Sequence, residues 1–235
     1  MFIDIHTHCL PGIDDGAPNA ETAIKMLTNS AEQGVELCYA TPHCVLREFT
    51  CVDEFIEKRK KSFDSLISKL KGEKFSHPKI LLGAEVYLDN DISKFEGINK
   101  LCLEGTNLML IELPEGKVGR RFADWIYNLS LLNIHPVIAH VERYSFDYAF
   151  FRELEEIGVD FQINAGLFLN FKGRRKLKKL LNLTDKFIVS SDMHNEDKRR
   201  CNLLPAYNLA VSKFPDFSDK FFCENAADVL NTYKK

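Results

Sequence analysis

Short apolar runs alternate with amphipathic stretches along the whole chain. Residues 2–5, 36–40, 79–82, 108–111, 136–139, 160–163 and 187–190 read as strands. Most are almost wholly apolar, the pattern of strands covered on both faces. Helical periodicity fills the intervals. Ala23, Ile24, Leu27 and Ala31 form one stripe, with Gly34 as its stop. Phe55, Phe63, Leu66, Ile67 and Leu70 stripe a Lys-rich helix that ends near Gly72. Phe122, Ile126, Leu129 and Leu132 mark a third helix, and Phe150, Phe151, Leu154 and Ile157 a fourth, stopped at Gly158. Such alternation implies parallel strands joined by right-handed crossovers. Seven units suit a closed or nearly closed (β/α) barrel at the short end of its length range, with a doubly wound open sheet as the rival. No linker, repeat or low-complexity stretch divides the chain, so residues 1–235 are expected to form one domain.

Polar residues collect where a (β/α) barrel does its chemistry, at the C-terminal ends of the strands. The first strand runs into His6-Thr7-His8, with Asp14-Asp15-Gly16 soon after. The second leads to Thr41-Pro42-His43, the third to Gly83-Ala84-Glu85 and the fourth to Glu112. The fifth leads to His140-Val141-Glu142-Arg143, and the seventh to Ser191-Asp192-Met193-His194. Any one of these alone is ordinary, since a lone histidine at a strand end is usually hydrogen-bonded or solvated. Together they put His, Asp or Glu from six strands on one rim, and so many carboxylates without a cation would repel one another. The pattern predicts a metal site built from His6, His8, Asp15, His43, Glu85, Glu112, His140, Asp192 and His194. Nitrogen and oxygen donors without thiolate suit Mn²⁺, Fe or Zn²⁺. Nine ligands exceed what one ion can hold. Two or three divalent ions must share them, an arrangement suited to hydrolytic phosphoryl transfer.

Composition narrows the alternatives. With 45% hydrophobic residues and a net charge of only -3, disorder is excluded as the dominant state. The balance of 34 acidic against 31 basic residues argues against a general nucleic-acid binder. Seven cysteines, an odd number with no C-x-x-C pair, read as small buried hydrophobes in a reducing compartment. No basic segment precedes Asp4, and no apolar run approaches the roughly 20 residues of a membrane span. The expectation is a soluble, cytoplasmic chain without membrane insertion, its oligomeric state open.

The order H-x-H, D-G, H, E, E, H, D-x-H resembles the PHP superfamily, named for its polymerase and histidinol phosphatase members. Several runs are similar to the bacterial manganese-dependent tyrosine-protein phosphatases of capsular and exopolysaccharide loci. They are Asp4-Ile5-His6-Thr7-His8, Asp14-Asp15-Gly16, Gly83-Ala84-Glu85, the run from Pro136 through His140 to Tyr144, and Ser191-Asp192-Met193-His194-Asn195. The likeness covers essentially the whole chain, including a closing helix at 225–230. It implies a distorted (β/α)7 TIM-like barrel of the PHP type, with three ions, Mn²⁺ first among the candidates. One ion would be held by His6, His8, Glu85 and Asp192, a second by Glu85, Glu112 and His140, and a third by Asp15, His43 and His194. Glu85 would bridge. The substrate implied is a phosphotyrosine-bearing protein, the tail of a bacterial tyrosine kinase controlling polysaccharide synthesis.

The expected reaction is direct attack of a metal-bridging hydroxide on the phosphomonoester, with Glu112 and His140 indispensable to turnover. Arginines should complete the phosphate cage. The resemblance points to Arg143 and Arg199, with Arg47, Arg120, Arg121 and Asn164 as weaker substrate candidates and Asp4 behind the ligands. Arg120 and Arg121 are placed in the loop running from Gly116 to Gly119. A thiol route is excluded by spacing, because no cysteine is followed six positions later by arginine. Three rivals stay open: a phosphatase of histidinol phosphate or another small phosphomonoester, a nuclease module, and a non-catalytic kinase-binding regulator.

Overall fold

The computed structural model describes residues 2–71, 76–114, 119–145, 148–184 and 186–235. All seven expected strands are present, at Phe2–Thr7 (β1), Val35–Ala40 (β2), Lys79–Leu82 (β4), Leu108–Glu112 (β6), His135–Ile138 (β7), Asp160–Asn164 (β8) and Phe187–Ser190 (β9). Two short strands, His43–Cys44 (β3) and Glu85–Tyr87 (β5), continue β2 and β4 beyond Thr41-Pro42 and Gly83-Ala84. The nine strands therefore make seven staves, all parallel. They form a sheet β1-β2-β4 and a sheet β3-β5-β6-β7-β8-β9. Backbone bonds cross the break, from Thr41 N to Thr7 O (2.8 Å), Gly83 N to Ala40 O (2.9 Å) and Glu85 N to Pro42 O (3.1 Å). The ring closes between β1 and the segment after β9, where Asp192 N donates to His6 O and His8 N to Met193 O, both at 3.0 Å. The closed barrel prevails over the open sheet.

Helices cover the outside: Ala20–Glu32 (α1), Val52–Leu70 (α2), Arg120–Leu131 (α3), Tyr148–Ile157 (α4), Gly166–Leu169 (α5), Phe171–Leu180 (α6), Leu203–Lys213 (α7) and Asn225–Thr232 (α8). Asn19 caps α1 by accepting from Thr22 N, and Gly34 follows at φ 84°, a left-handed turn that favours glycine. α2 ends at Leu70, and Gly72 lies outside the described residues. One expected stripe position is displaced: Leu132 follows the end of α3 and is 49% exposed, while Ala123 takes a buried place beside Phe122, Ile126 and Leu129. Among the described residues no helix is long and apolar enough to cross a membrane.

The core has two parts. The larger packs the helices against the outer sheet faces. The smaller joins Ile3, Ile5, Leu108, Leu110, Val137 and Ile188, from strands on different sides of the ring, so it fills the barrel interior. α8 closes its lower end through Ala226, Ala227, Val229 and Leu230. The two-residue strand period then carries the inner face of β6 from Leu108 and Leu110 to Glu112 at the rim. On β8, Phe161 and Ile163 face the outer core, which turns Asp160, Gln162 and Asn164 inward.

Candidate metal centre

The nine expected ligands converge at the upper end of the ring. His6 and His8 are fully buried, and Glu85, His140, Asp192 and His194 are nearly so. Glu112 and His43 are partly exposed and Asp15 is 65% exposed, which puts the open side of the site at that edge. Nε2 of His6 and Nε2 of His8 are 3.1 Å apart. Glu85 Oε2 lies 3.2 Å from the first, 3.3 Å from the second and 2.9 Å from His43 Nδ1. Asp192 Oδ1 is 3.5 Å from both Nε2 atoms. Asp15 Oδ1 is 3.3 Å from His43 Nε2 and 3.4 Å from His194 Nε2. His140 Nε2 reaches Glu85 Oε1 at 2.8 Å and Glu112 Oε1 at 3.7 Å.

The opposite nitrogens explain this orientation. His8 Nδ1 is 2.7 Å from Asp14 Oδ2, His6 Nδ1 is 3.1 Å from Gln162 Oε1, and His194 Nδ1 is 3.0 Å from the Asp192 carbonyl. Each partner is an acceptor, so the network assigns the proton to Nδ1 and leaves the Nε2 lone pair aimed inward. That is how an outer partner orients a metal-binding imidazole. Buried His194 Nε2 and Glu85 Oε2 have no hydrogen-bond partner, although other site atoms crowd them. Unpaired buried acceptors are costly, and a cation bound beside each of them removes the cost. The donor set thus fits divalent metal.

The charges of the site act on one another in opposing ways. Burial would push His6 down, but Glu85 and Asp192 hold it up at about 10. Burial and the neighbouring His8 drive His194 down to about 3. Burial and Glu85 raise Glu112 to about 7. Burial opposes ionisation of Asp192, yet His6 and His8 keep it below the usual carboxylate range. Protons cannot satisfy all of these groups at once.

Three clusters have ligand atoms mutually within 4.8 Å: His8, Asp15, His43 and His194; His6, His8 and Asp192; and His43, Glu85 and Glu112. The expected division differs in detail. His8 belongs to the Asp15 cluster as well as to that of His6, and His43 joins Glu85 and Glu112. Two candidates sit on strained backbone, with φ 32° at His140 and φ 52° at Asp192. This left-handed region is disfavoured for residues with a Cβ, and it turns both side chains inward where β7 and β9 end. Hydrogen bonds hold the strain, from His140 N to Gln162 Oε1 (2.6 Å) and from Asp192 N to His6 O.

The remaining candidates separate. Arg143 Nη2 is 2.5 Å from Asp192 Oδ2, and Arg199 Nη2 contacts both oxygens of Asp192 at 3.1 and 3.0 Å. These two arginines are 39% and 38% exposed, so they stand at the mouth. Asn164 Nδ2 donates to Asp192 Oδ2 at 2.8 Å. Asp4 lies beneath, accepting from Ser191 N at 3.0 Å. Arg47 turns to Asp89 at the surface. Arg120 and Arg121 are the first residues of α3, not part of the preceding loop, whose positions 116–118 lie outside the described residues. Arg120 faces Glu153 at 3.8 Å and Arg121 lies over the Phe122 and Trp125 rings. Sequence reasoning missed Asp14, Gln162 and the role of Tyr144, whose hydroxyl is 3.2 Å from His140 Nδ1. Gln162 carried a signal, since it is polar in the middle of an apolar strand. Cys44, next to His43, stays outside the chemistry, because burial pushes its thiol up to about 12.

The chain is similar to known proteins along nearly its whole length. The sequence model of the family described as capsular polysaccharide synthesis, CpsB/CapC, matches residues 2–231. The chain is 28% identical over 245 residues to tyrosine-protein phosphatase CpsB of Streptococcus agalactiae, covering 99% of both chains. It is 30% identical over 242 residues to tyrosine-protein phosphatase YwqE of Bacillus subtilis, covering 97% of this chain and 91% of that one. Among solved structures, one from work on YwqE of B. subtilis and CpsB of Streptococcus pneumoniae, described as unique metal-dependent tyrosine phosphatases, superposes with a TM-score of 0.83. Its identity is 26%, over 99% of this chain and 95% of that one.

Proposed function

The chain belongs to the capsular polysaccharide synthesis CpsB/CapC family, and from that premise we propose that it is a metal-dependent protein-tyrosine phosphatase formed as one domain over residues 1–235. The observation that carries the reading is the convergence of the Nε2 atoms of His6 and His8 with Glu85 and Asp192, and of His194 Nε2 with Asp15, each of these imidazoles oriented by an acceptor behind it. His6, His8, Asp15, His43, Glu85, Glu112, His140, Asp192 and His194 would hold two or three divalent ions, Mn²⁺ foremost and Fe or Zn²⁺ as alternatives. Such ions supply Lewis acidity, which neutralises phosphoryl charge and lowers the pKa of bound water.

The chain's own groups do the rest. Arg143 and Arg199 bind the phosphoryl oxygens at the half-exposed mouth, where planar guanidinium suits phosphate. Asp192 holds those arginines in register, and Asn164 in turn holds Asp192 at its left-handed position. The open side at Asp15 and His43 admits an extended phosphotyrosyl segment. The natural substrate we infer is the tyrosine-phosphorylated tail of a bacterial kinase that governs capsule or exopolysaccharide synthesis, and the place of action is the cytoplasm.

The test compares turnover of a phosphotyrosyl peptide and histidinol phosphate, before and after chelation and Mn²⁺ replacement. Hydrolysis of the peptide that disappears with EDTA and returns with Mn²⁺ is expected. Preference for histidinol phosphate would move the chain to small-molecule chemistry. Peptide binding without any turnover would make it a regulator. Full activity after metal stripping would overturn the mechanism.

A further inference from the structure

A second basic feature lies outside the metal centre. Helix α6 reads FKGRRKLKKL, six cations with no acid. A cavity of ≈ 310 Å³ opens between α6 and the end of α7, lined by Phe171, Arg174, Arg175, Lys178, Lys213 and Phe214. Among the described residues none of these four cations pairs with a carboxylate. Arg174 Nη1 donates to the Phe168 carbonyl at 2.9 Å, which fixes its guanidinium beside the opening. The apolar part is unusual for a charged patch. Phe171 is 69% exposed, whereas Phe214 is buried and packs edge-on against Phe168 with ring centroids 6.1 Å apart. The net charge of the chain is -3, so this concentration of cations is local.

The chemistry selects the ligand. The exposed Phe171 ring offers apolar surface to an aromatic ring, and Phe214 lines the cavity behind it. Unpaired arginine and lysine groups offer donors to a dianion. A phosphorylated tyrosine has both parts. The position also fits. Asn164, which touches Asp192, ends β8, and Phe171 follows seven positions later across the short α5. Seven residues span at most about 25 Å. α6 also packs against the turn Val141–Arg143, which carries Arg143.

We propose that the cavity between α6 and α7 is a second phosphotyrosine site, which holds one phosphorylated tyrosine of a multiply phosphorylated tail while another occupies the metal centre. This rests on the phosphotyrosine reading of the metal centre. The two tyrosines would be separated by no more than about seven residues of extended chain.

The test uses Mn²⁺-loaded protein and tail peptides in which phosphotyrosine is replaced by non-hydrolysable phosphonomethylphenylalanine, read by fluorescence anisotropy. A peptide with two such residues six positions apart should bind about tenfold or more tighter than a peptide with one. The double variant Arg175→Glu/Lys178→Glu should abolish that gain and leave p-nitrophenyl phosphate turnover unchanged. Phe171→Ala should weaken the gain too. Equal binding of the two peptides by the unaltered protein overturns the proposal, as does a gain that survives charge reversal. A peptide with glutamates at the second position that binds equally well would reduce the patch to charge alone and also overturn it. So would loss of phosphatidylserine-vesicle or oligonucleotide binding in the double variant with the peptide gain intact. Failure of all phosphotyrosine turnover, with the two-residue gain still present and still lost in the variant, would sink the catalytic reading and leave this site standing.

Discussion

Replacing Gly16 by alanine tests how the metal centre is held. Gly16 follows Asp14-Asp15; the segment is clamped to the residue after β1 by a bond from Ala17 N to His8 O (3.1 Å) and is braced internally by Asp14 Oδ1 accepting from Gly16 N (3.0 Å). A Cβ at Gly16 would stand 2.1 Å from the His8 carbonyl oxygen and 2.5 Å from His8 Cβ. An ordinary C···O contact is about 3.3 Å, so one side must retreat by about 1 Å. If His8 retreats, its Nε2 leaves the meeting point with His6 and Glu85. If the loop retreats, Asp14 no longer orients His8 and Asp15 leaves His43 and His194. Either route displaces a ligand by about 1 Å, which costs on the order of 10²-fold in rate, or about 2.7 kcal/mol of transition-state stabilisation. Overpacking would also lower stability by about 1–3 kcal/mol. The assay is p-nitrophenyl phosphate turnover across a Mn²⁺ titration, with thermal unfolding measured alongside. Unchanged metal affinity and turnover in a folded Gly16→Ala protein would refute the claim that this glycine positions the ligands.

Three further outcomes are expected. Asp14→Asn keeps the size but weakens the hold on His8 Nδ1, so Mn²⁺ affinity should fall about 10–100-fold, with turnover partly restored by excess metal; an unshifted titration would count against it. Cys44→Ser should retain activity, because burial keeps that thiol protonated, with its pKa up at about 12; loss of turnover without loss of fold would contradict this. Asp4 is fully buried, and burial raises its carboxyl from 3.8 to about 6 despite hydrogen bonds from Ser191 and His6. A raised folded-state pKa means that stability falls as pH rises through 3.8 to about 6 and that the full cost is present above it, about 3 kcal/mol. Asp4→Asn, still able to accept from Ser191 N, should therefore stabilise metal-free protein in urea unfolding at pH 8, by a margin that shrinks toward pH 5; a margin independent of pH would exclude Asp4 ionisation as its source.

The strand pattern and the rim chemistry were legible because they depend on local sequence. Strands buried on both faces must be apolar, and residues just past a strand's C-terminal end must reach the same rim once the strands are parallel. That logic brought His6, Glu85, Glu112, His140 and Asp192 together before any coordinates. Leu132 was misread because periodicity marks a face but not the point where a helix stops.

Other features depended on contacts between distant segments. Asp14 meets His8 Nδ1 only six positions away, but that contact needs the loop after β1 to fold back on itself, which residue spacing does not reveal. Gln162 and His6 are 156 positions apart, and only their meeting inside the barrel assigns the His6 tautomer. The left-handed backbone at His140 and Asp192 is likewise held from outside, by Gln162 and by the His6 carbonyl. The sharing of His8 and His43 between ligand clusters follows from their places in the ring, and the meeting of α6 cations with Phe214 around one cavity from the packing of α6 and α7 on α5. Which residue types face the metal rim could be read from the chain alone, since strand period and strand ends are local properties. Tertiary structure decided how each ligand is oriented and which ligands share a position, because those depend on distances that only ring closure defines.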